Sequence, residues 1–249
     1  MLETRGLTVR FGGHVAVNEV SCRFEPGTLT AIVGPNGAGK TTYFNLISGQ
    51  IPATAGQVLL HGQDLTPFGA ARRARAGLGR AFQLTHLFAN LTVLENVRLA
   101  IQAREGAGLN VWQVWSDLSA LTEQAQAVLA QVALQDKAHL LASGLPHGDQ
   151  RKLEVGVLMA LNPRVYLFDE PTAGMSIDEV PVILNLIRRL KQDPTKVILL
   201  VEHKMDVVRE LADRIVVLHN GVCVADGEPA EVMASEVVQE AYMGKARAA

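Results

Sequence analysis

Hydrophobic residues in the first third of the chain are spaced as they are in β-strands. Apolar side chains alternate with polar ones or run on for a few residues, and polar residues or glycines bound each run. Strands are therefore predicted at 7–11, 16–24, 29–34 and 56–65. Residues 40–49 instead have helical spacing, and Gly49 is placed to end that helix as a C-cap. This region predicts a strand-rich lobe that contains one helix.

The middle of the chain has the spacing of helices. Thr92 and Glu95 stand at the separation of a capping box, so a helix is predicted over 92–104. Residues 105–144 are predicted to be mostly helical, with apolar residues at Leu121, Val128, Leu129, Val132 and Leu134. No residue in this segment suggests chemistry, and we interpret it as a helical lobe.

From residue 150 the pattern alternates between helices and strands. Continuous apolar runs at 164–170 and 196–203 are typical of parallel strands that are covered on both faces. A hairpin is predicted over 214–227, because Asn220-Gly221 is a type I′ turn signal. Helices are predicted at 151–161, 178–192 and 205–213.

One of these helices has conflicting signals at its start. Ser176 and Glu179 have capping-box spacing, but Pro181 would then disrupt the first turn. We therefore expect the helix to begin later, with Pro181 near its first position.

Composition narrows the class of protein. The 249 residues are 48% hydrophobic and 19% charged, and the net charge is -2, which gives no general attraction for nucleic acid. Two scattered thiols, Cys22 and Cys223, fit a reduced cytosolic protein better than a disulfide framework. No signal peptide is expected at the N-terminus, and every apolar run is too short to span a bilayer. Any membrane association is expected to go through a partner.

The segment "GPNGAGKT", Gly34–Thr41, matches the phosphate-loop pattern in full. It follows a predicted apolar strand and opens a predicted helix, which is the context that the motif needs. Its glycines allow successive backbone N–H groups to converge on the phosphates, and the helix N-terminus adds positive potential. Lys40 supplies a mobile charge, and the hydroxyl of Thr41 is a Mg²⁺ ligand. The other interpretation, a glycine-rich turn that matches by chance, is disfavoured by these flanks.

Asp169 and Glu170 end the predicted strand at 164–170. Ligands bind at this edge of an open α/β sheet. Asp169 fits the role of holding Mg²⁺ through water, and Glu170 is placed to polarise the attacking water as a general base. The other interpretation, a solvated acidic turn after the strand, is disfavoured by the phosphate loop in the same chain.

His203 and Gln83 are weaker candidates when each is taken alone. A lone histidine is more often structural, but His203 ends the strand at 196–203, next to the strand that ends in Asp169 and Glu170. From there an imidazole could reach a γ-phosphate, and this position favours a functional role. Gln83 follows Phe82 at a strand-to-loop boundary, and its amide could ligate Mg²⁺ weakly and move away easily. By itself Gln83 would be interpreted as a surface residue.

These motifs, in this order along the whole chain, resemble the ATP-binding subunits of ABC transporters. The resemblance implies an α/β phosphate-loop NTPase core with a mainly parallel sheet flanked by helices. It also implies an N-terminal antiparallel β subdomain and a helical signature subdomain over about 88–160. We expect a single ABC ATPase domain over 1–244 and a disordered tail over 245–249.

The resemblance also implies roles for particular residues. Lys40, Gln83, Glu170 and His203 are implied to be catalytic, and Thr41, Gln83 and Asp169 to bind Mg²⁺. Phe11 resembles the aromatic residue that stacks on adenine, although core packing would also explain it. The segment Gly174-Met175-Ser176 stands where the family's D-loop crosses a dimer interface, with "TAGMS" in place of the usual "SALD". The implied ATP-binding residues are Phe11, Gly34, Pro35, Asn36, Gly37, Ala38, Gly39, Lys40, Thr41 and Thr42.

The segment "LPHGDQ" falls where the family has its "LSGGQ" signature. Pro146 replaces the serine and removes both a hydroxyl and a backbone N–H, His147 replaces a glycine, and Asp149 replaces the glutamine. Gly148 remains, and a helix N-terminus can bind phosphate through backbone dipoles without the serine. The altered signature is therefore expected to act in trans on a second subunit, with His147 as a possible replacement donor. Its implied residues are Leu145, Pro146, His147, Gly148 and Asp149.

Softer motifs indicate the subfamily. "AGMS" after "DEPT", "VEHKMDVV" and "AYMG" resemble the importers of branched-chain amino acids and their amide and urea relatives. This resemblance implies an ATPase that energises import of branched-chain or other hydrophobic amino acids, with ATP and Mg²⁺ as cofactors. It implies a second ABC ATPase subunit, integral-membrane permease subunits and, indirectly, a periplasmic or extracellular binding protein as partners, without nucleic acid. The chain is then expected to be peripheral on the cytoplasmic side of the membrane.

Other interpretations stay open at this point. The chain could serve an importer of urea or short amides, or another transport system. It could be a soluble ATP-driven switch in translation or DNA repair, although such relatives usually have two ATPase domains or a coiled-coil insertion. The altered signature also leaves room for a subunit that binds nucleotide without turnover, against which the intact Glu170 and His203 argue. The transported substrate, its direction and the identity of the second subunit do not follow from the sequence.

Overall fold

The computed structural model describes residues 1–81, 87–106 and 111–243, with the side chains of 111–118 and 241–243 left undescribed. Its contacts divide the chain into two compact units. The first unit comprises Met1–Arg80, Arg164–Glu170 and Lys191–Ala249, and the second comprises Ala81–Pro163 and Pro171–Leu190. The predicted domain boundary at residue 244 stays a prediction, and the predicted tail, 245–249, lies outside the described residues.

Ten strands in the described residues form two sheets. The smaller, antiparallel sheet has the order β2-β1-β4-β5, and the larger sheet has the order β10-β9-β3-β8-β7-β6. The strands are β1 Leu2–Phe11, β2 His14–Phe24, β3 Thr28–Val33, β4 Ala55–Leu60, β5 Gln63–Asp64, β6 Leu78–Ala81, β7 Val165–Asp169, β8 Val197–Val201, β9 Arg214–His219 and β10 Val222–Gly227. The predicted α/β class is confirmed. The predicted strands are confirmed as well, except that 56–65 forms two strands, β4 and β5, which are separated by a turn at His61 and Gly62.

Nine helices are described. They are α1 Lys40–Ser48, α2 Ala70–Arg75, α3 Val93–Arg104, α4 Val111–Gln131, α5 His147–Leu161, α6 Val180–Lys191, α7 Met205–Leu211, α8 Pro229–Ala234 and α9 Glu236–Met243. Gly49 ends α1 with φ at 75°, as predicted. The helix that contains Pro181 begins one residue before it, at Val180, which confirms the expected late start. Among the described helices, none combines the length and the hydrophobicity needed to cross a membrane.

The centre of the larger sheet is parallel, and its strands are apolar on both faces, as is typical of parallel sheets that are covered on both sides. Every residue of β7 and β8 is buried, as are all residues of β3 after the first. The strand β8 pairs in parallel with β3 and β7, so that Ala31 lies opposite Leu200 and Asp169 lies opposite Val201. The carboxyl ends of these three strands therefore meet at one edge of the sheet.

Helix α1 packs into the hydrophobic core of the first unit. Its side chains Tyr43, Phe44, Leu46 and Ile47 are at most 1% exposed and share one cluster with residues of both sheets. The carbonyl groups at its C-terminal end are bound by a buried cation, because Arg73 Nη1 donates to the carbonyl oxygens of Leu46 and Ile47. The same guanidinium donates from Nε to the carbonyl of Phe68. Arg73 thereby fixes the end of the helix that follows the phosphate loop.

The second unit is helical. Thr92 and Glu95 form the predicted capping box at the start of α3, with Glu95 N at 3.1 Å from Thr92 Oγ1 and Thr92 N at 3.0 Å from Glu95 Oε2. The helix α3 packs against both α4 and α5. The prediction of a mostly helical 105–144 holds for 111–131, whereas 3₁₀ turns at Gln135–Lys137 and Ala142–Gly144 follow it. The chain breaks from α4 at Ala133, whose φ is 54°.

The predicted hairpin over 214–227 is confirmed. Its strands β9 and β10 pair in antiparallel register, with His219 opposite Val222. Asn220 and Gly221 both have positive φ, at 48° and 77°, as a type I′ turn requires.

Candidate active site

The loop of Gly34–Thr41 lies between the end of β3 and the start of α1, as its motif predicts. Two of its glycines approach other backbone groups too closely for any side chain. A Cβ on Gly34 would lie 2.1 Å from the carbonyl oxygen of Leu218, and one on Gly39 would lie 2.6 Å from that of Ala16. Both residues also have positive φ, at 151° and 97°. The loop is therefore clamped against β2 and β9 by contacts that only glycine permits.

Lys40 is folded back onto its own loop. Its Nζ donates to the carbonyl oxygens of Gly34 at 2.7 Å and Pro35 at 3.0 Å. Burial lowers the pKa of Lys40, and the negative charges of Glu170 and Asp169 oppose that shift. The ammonium group therefore already lies within the loop that is expected to hold phosphates.

A cavity of about 290 Å³ opens beside this loop in the first unit. Polar groups of the loop and of α1 line it, together with Glu170 from the end of β7. Phe11 does not line it: this residue is 52% exposed on β1, opposite His14, which does line the cavity. The remaining lining residues are Ala16, Asn36, Gly37, Ala38, Gly39, Lys40, Thr41 and Thr42.

The two acidic residues after β7 have different surroundings. Asp169 is fully buried, whereas the side chain of Glu170 is 24% exposed and reaches the cavity. Glu170 has a φ of 49°, which is uncommon for a residue with a side chain, and its N–H donates to the carbonyl of Val201 at 2.9 Å. His203 Nδ1 lies 3.4 Å from Glu170 Oε1. The structure thus brings Glu170 together with the phosphate loop and with His203.

A buried arginine that the sequence analysis missed links these parts. Arg80 donates from Nη2 to Asp169 Oδ2 at 2.7 Å, and from Nη1 to Asn45 Oδ1 at 2.7 Å and Ser48 Oγ at 2.9 Å. The guanidinium therefore ties the end of β7 to helix α1. A charged residue inside the buried strand pattern "LGRA" was the available signal. Gln83 lies outside the described residues.

The segment "LPHGDQ" lies at the start of α5 in the second unit. Leu145 is buried, and Pro146 is the N-cap, with φ at -55°, so that the helix begins at His147. The imidazole of His147 packs on Gly174, whose Cβ, if present, would lie 3.0 Å from Cε1 of the ring. A Cβ on Gly148 would lie 2.2 Å from Oε2 of Glu179, which explains why this position is glycine.

Asp149 has an internal role that its position in the signature did not suggest. Only 4% of the residue is exposed, and its carboxylate binds Lys137 through Oδ2 and Lys152, at 3.0 Å, through Oδ1. Burial alone would raise the pKa of Asp149, but the hydrogen bonds from the two lysines outweigh it, so this pKa lies below its ordinary value. Lys152 also binds Glu179 Oε1 at 3.2 Å. These ion pairs connect the first turn of α5 to neighbouring parts of the second unit.

The comparison with protein families is consistent with this geometry. The family profile described as "ABC transporter" matches residues 17–173, which include the phosphate loop, the signature segment and Glu170. The chain therefore belongs to the ABC transporter family, and it is an ATPase of that family. The predicted resemblance is confirmed.

Relatives and solved structures make the relationship more specific. The chain is 37% identical to the high-affinity branched-chain amino acid transport ATP-binding protein LivG of Escherichia coli, across 99% of this chain and 98% of the relative. It is 36% identical to the corresponding protein BraF of Pseudomonas aeruginosa over the same shares. Among solved structures, an ATP-binding cassette of an ABC transporter in its ADP conformation superposes with a TM-score of 0.81 and 29% identity, covering 98% and 99% of the two chains. A nucleotide-free cassette has a TM-score of 0.82 and 27% identity at the same coverage.

The glycine clamp predicts unequal effects of the same substitution at two loop positions. Gly37→Ala introduces a Cβ at a positive φ of 79° into open space, so it should cost about 1–2 kcal/mol of unfolding free energy. Gly39→Ala adds a collision with the carbonyl of Ala16 and should cost about 1–3 kcal/mol more. Urea unfolding of the nucleotide-free protein measures both values. Equal losses would show that the loop is not held by this contact.

The ion pairs of Asp149 predict an acid-sensitive contribution to stability. Because the folded pKa is depressed, the contribution is present above the unfolded pKa of about 3.9 and is lost as pH falls through the folded pKa. Asp149→Asn should therefore lower stability at pH 7 by about 1–3 kcal/mol. The gap between variant and wild type should narrow below about pH 4. Chemical denaturation across this pH range measures it, and the exposed Asp136→Asn serves as control; a gap that is constant with pH would contradict the assignment.

Proposed function

We propose that the chain binds ATP in the cavity of the first unit and hydrolyses it to energise import of branched-chain or other hydrophobic amino acids. The observation that supports hydrolysis best is the convergence of the phosphate loop, Glu170 and His203 at one edge of the sheet. Transport of amino acids is supported by the near-full-length similarity to LivG and BraF.

The phosphate loop is proposed to bind the β- and γ-phosphates. Gly37 and Gly39 turn the backbone through left-handed conformations just before α1, and the N-terminus of that helix has a partial positive charge. The ammonium of Lys40 is within 3.0 Å of two loop carbonyls and can exchange these for phosphate oxygens, which bear full negative charge. Asn36, Thr41 and Thr42 supply further polar groups to the same cavity.

The residues proposed for Mg²⁺ fit that ion by their donor chemistry. Thr41 offers a hydroxyl at the cavity, and Asp169 offers a carboxylate that Arg80 holds in a fixed orientation. Hydroxyl and carboxylate oxygens are the hard ligands that Mg²⁺ prefers, and Gln83 would add an amide oxygen. When bound, the ion neutralises charge on the phosphate oxygens.

Glu170 is proposed to orient and polarise the attacking water. Its side chain reaches the cavity from a backbone conformation that the hydrogen bond to Val201 holds in place. The imidazole of His203 at 3.4 Å can fix the carboxylate and contact the γ-phosphate in turn. Fixed groups of this kind accelerate phosphoryl transfer mainly by position and charge, with little covalent chemistry.

The start of α5 is proposed to act on the ATP of a second ABC ATPase subunit. Pro146 removes one N–H at the N-cap, but the backbone N–H groups of His147, Gly148 and Asp149 follow in the first turn. His147 packs on Gly174 of the D-loop segment, so both segments proposed for the subunit interface are in contact. The second subunit can be a copy of this chain or a sister ATPase.

The remaining partners follow from membership in a transporter family. Membrane permease subunits are proposed to hold the chain on the cytoplasmic side of the membrane, and a binding protein on the other side is proposed to deliver the substrate. Phe11, exposed at the end of β1, is proposed to stack on adenine, because its strand partner His14 lines the cavity.

Glu170→Gln tests the proposed base. Glutamine has the same shape but cannot accept a proton, so ATP should still bind while turnover falls by at least about 100-fold. Phosphate release at saturating ATP measures turnover, and a nucleotide-binding titration measures affinity. Glu123→Gln, an exposed position on α4, is the matched control and should hydrolyse as wild type does. Hydrolysis by Glu170→Gln at the wild-type rate would refute the role of this residue.

Uptake by cells tests the proposed substrate. The chain is co-expressed with its permease subunits and binding protein in cells that lack their own branched-chain importer. Uptake of labelled leucine should require the wild-type chain and should be lost with Glu170→Gln. Labelled urea and a short amide are supplied in parallel. Their uptake without that of leucine would assign the amide and urea group and refute the amino acid proposal.

A further inference from the structure

The fold brings together two cysteines from opposite ends of the chain. Cys22 lies on β2 and Cys223 lies on β10, and both thiols are free. Asp226 follows on β10, and the two sulfurs and a carboxylate oxygen of Asp226 all lie within 4.8 Å of one another. Among the described residues, these three form the one group of potential metal ligands with this spacing. The two thiols stand far apart in the sequence, so no local pattern predicted this group.

The spacing of these atoms suits one shared metal ion. Zinc binds thiolate sulfur at about 2.3 Å, so two sulfurs on one ion are at most about 4.6 Å apart. Atoms that already lie within 4.8 Å of one another need only a small side-chain adjustment to meet this limit. Two thiolates with one carboxylate form a soft, mixed S/O set that favours zinc and similar ions over Mg²⁺ or Ca²⁺. Cys22 is 5% exposed, while Cys223 is half-buried and the side chain of Asp226 is 30% exposed. Cys22 therefore forms the buried side of the group, and an ion can reach the group from solvent past Cys223 and Asp226.

Arg214 provides the outer contacts of this group. Its Nε and Nη2 each bind one oxygen of Asp226 at 2.5 Å. A carboxylate has about four lone-pair positions, so this bidentate pair leaves room for a metal on the same oxygens. Such a charged partner commonly orients a ligand carboxylate. A divalent ion together with Arg214 would balance the three negative charges of two thiolates and Asp226.

The two thiols are close enough to hydrogen-bond to each other. The pKa of Cys22 is raised mainly by hydrogen bonding with Cys223 and, to a smaller extent, by burial. Hydrogen bonding from Cys22 lowers the pKa of Cys223, and Arg214 adds to that lowering. A metal would take the place of the proton between the sulfurs.

We propose that Cys22, Cys223 and Asp226 form a binding site for a single thiophilic divalent cation of the zinc type. Three protein ligands leave the fourth position of a tetrahedral ion for water. The site is separate from the cavity proposed for ATP, since none of the three residues lines that cavity.

The site would join strands that hold the phosphate loop. The turn before Cys223 donates a hydrogen bond from Gly221 N to the carbonyl of Ala38 at 3.0 Å. On the other side, Cys22 N donates to Thr4 Oγ1 at 3.0 Å, and this hydroxyl is 2.7 Å from the hydroxyl of Tyr43 on α1. An ion between β2 and β10 would therefore stabilise the first unit against unfolding whether or not nucleotide is bound.

Titration of the reduced full-length protein with Co²⁺ under anaerobic conditions tests the proposal. Cobalt replaces zinc in such sites, and its thiolate charge-transfer absorption reports bonds to sulfur specifically. We expect this absorption to saturate at one equivalent, to disappear when Zn²⁺ is added, and to be accompanied by a rise in melting temperature with Zn²⁺. Absence of the absorption at stoichiometric Co²⁺ would overturn the proposal.

Variants assign the ligands. Cys223→Ser should abolish the charge-transfer absorption and the zinc-dependent rise in melting temperature. Asp226→Asn should weaken affinity by at least about tenfold. Asp206→Asn, which alters an exposed carboxylate on α7, should leave both readouts unchanged. Circular dichroism verifies that each variant is folded, and Cys223→Ala replaces Cys223→Ser if the latter is not. Thiolate absorption that persists without Cys223, or an affinity unaffected by Asp226→Asn, would overturn the proposed ligand set.

Discussion

The close approach of the phosphate loop to two neighbouring strands is the constraint on which the rest of the first unit depends. Gly34 lies against the carbonyl of Leu218 and Gly39 lies against that of Ala16, at distances that exclude a Cβ. These contacts hold the loop against β9, which belongs to the same sheet as β7 and β8. The sheet therefore fixes the position of the loop relative to β7 and β8. Glu170 and His203 then need only to follow the ends of those strands to reach the same edge.

Much of this arrangement could be predicted from local pattern. Glycine spacing, apolar strands and turn chemistry are short-range signals, and the phosphate loop, the Asn220-Gly221 hairpin and the Thr92 capping box were all found from them. Contacts between distant segments leave no such signal. Arg80 reaches Asp169 across 89 positions of sequence, and its role is visible only when β6 and α1 are folded.

In the signature segment, a local motif suggested a role for a residue whose contacts became visible only in the fold. By position, Asp149 stands where the family's signature has its glutamine, and it was therefore predicted to be among the residues that act in trans. The structure instead buries its carboxylate between Lys137 and Lys152. The choice of aspartate is thus explained by ion pairing inside the second unit, and the proposed phosphate contacts at this helix start fall to the backbone.

The buried side chain of Arg73 interacts with the dipole of helix α1. An α-helix has a positive N-terminus and a negative C-terminus. In α1 the guanidinium of Arg73 lies on the C-terminal carbonyls of Leu46 and Ile47, and the phosphate loop lies at the N-terminus. A phosphate at the N-terminus and the guanidinium of Arg73 at the C-terminus would each interact favourably with the helix dipole. The two charges would thus both stabilise α1 although they do not touch each other. Because arginine keeps its charge throughout the physiological pH range, this polarisation of the helix is constant across that range.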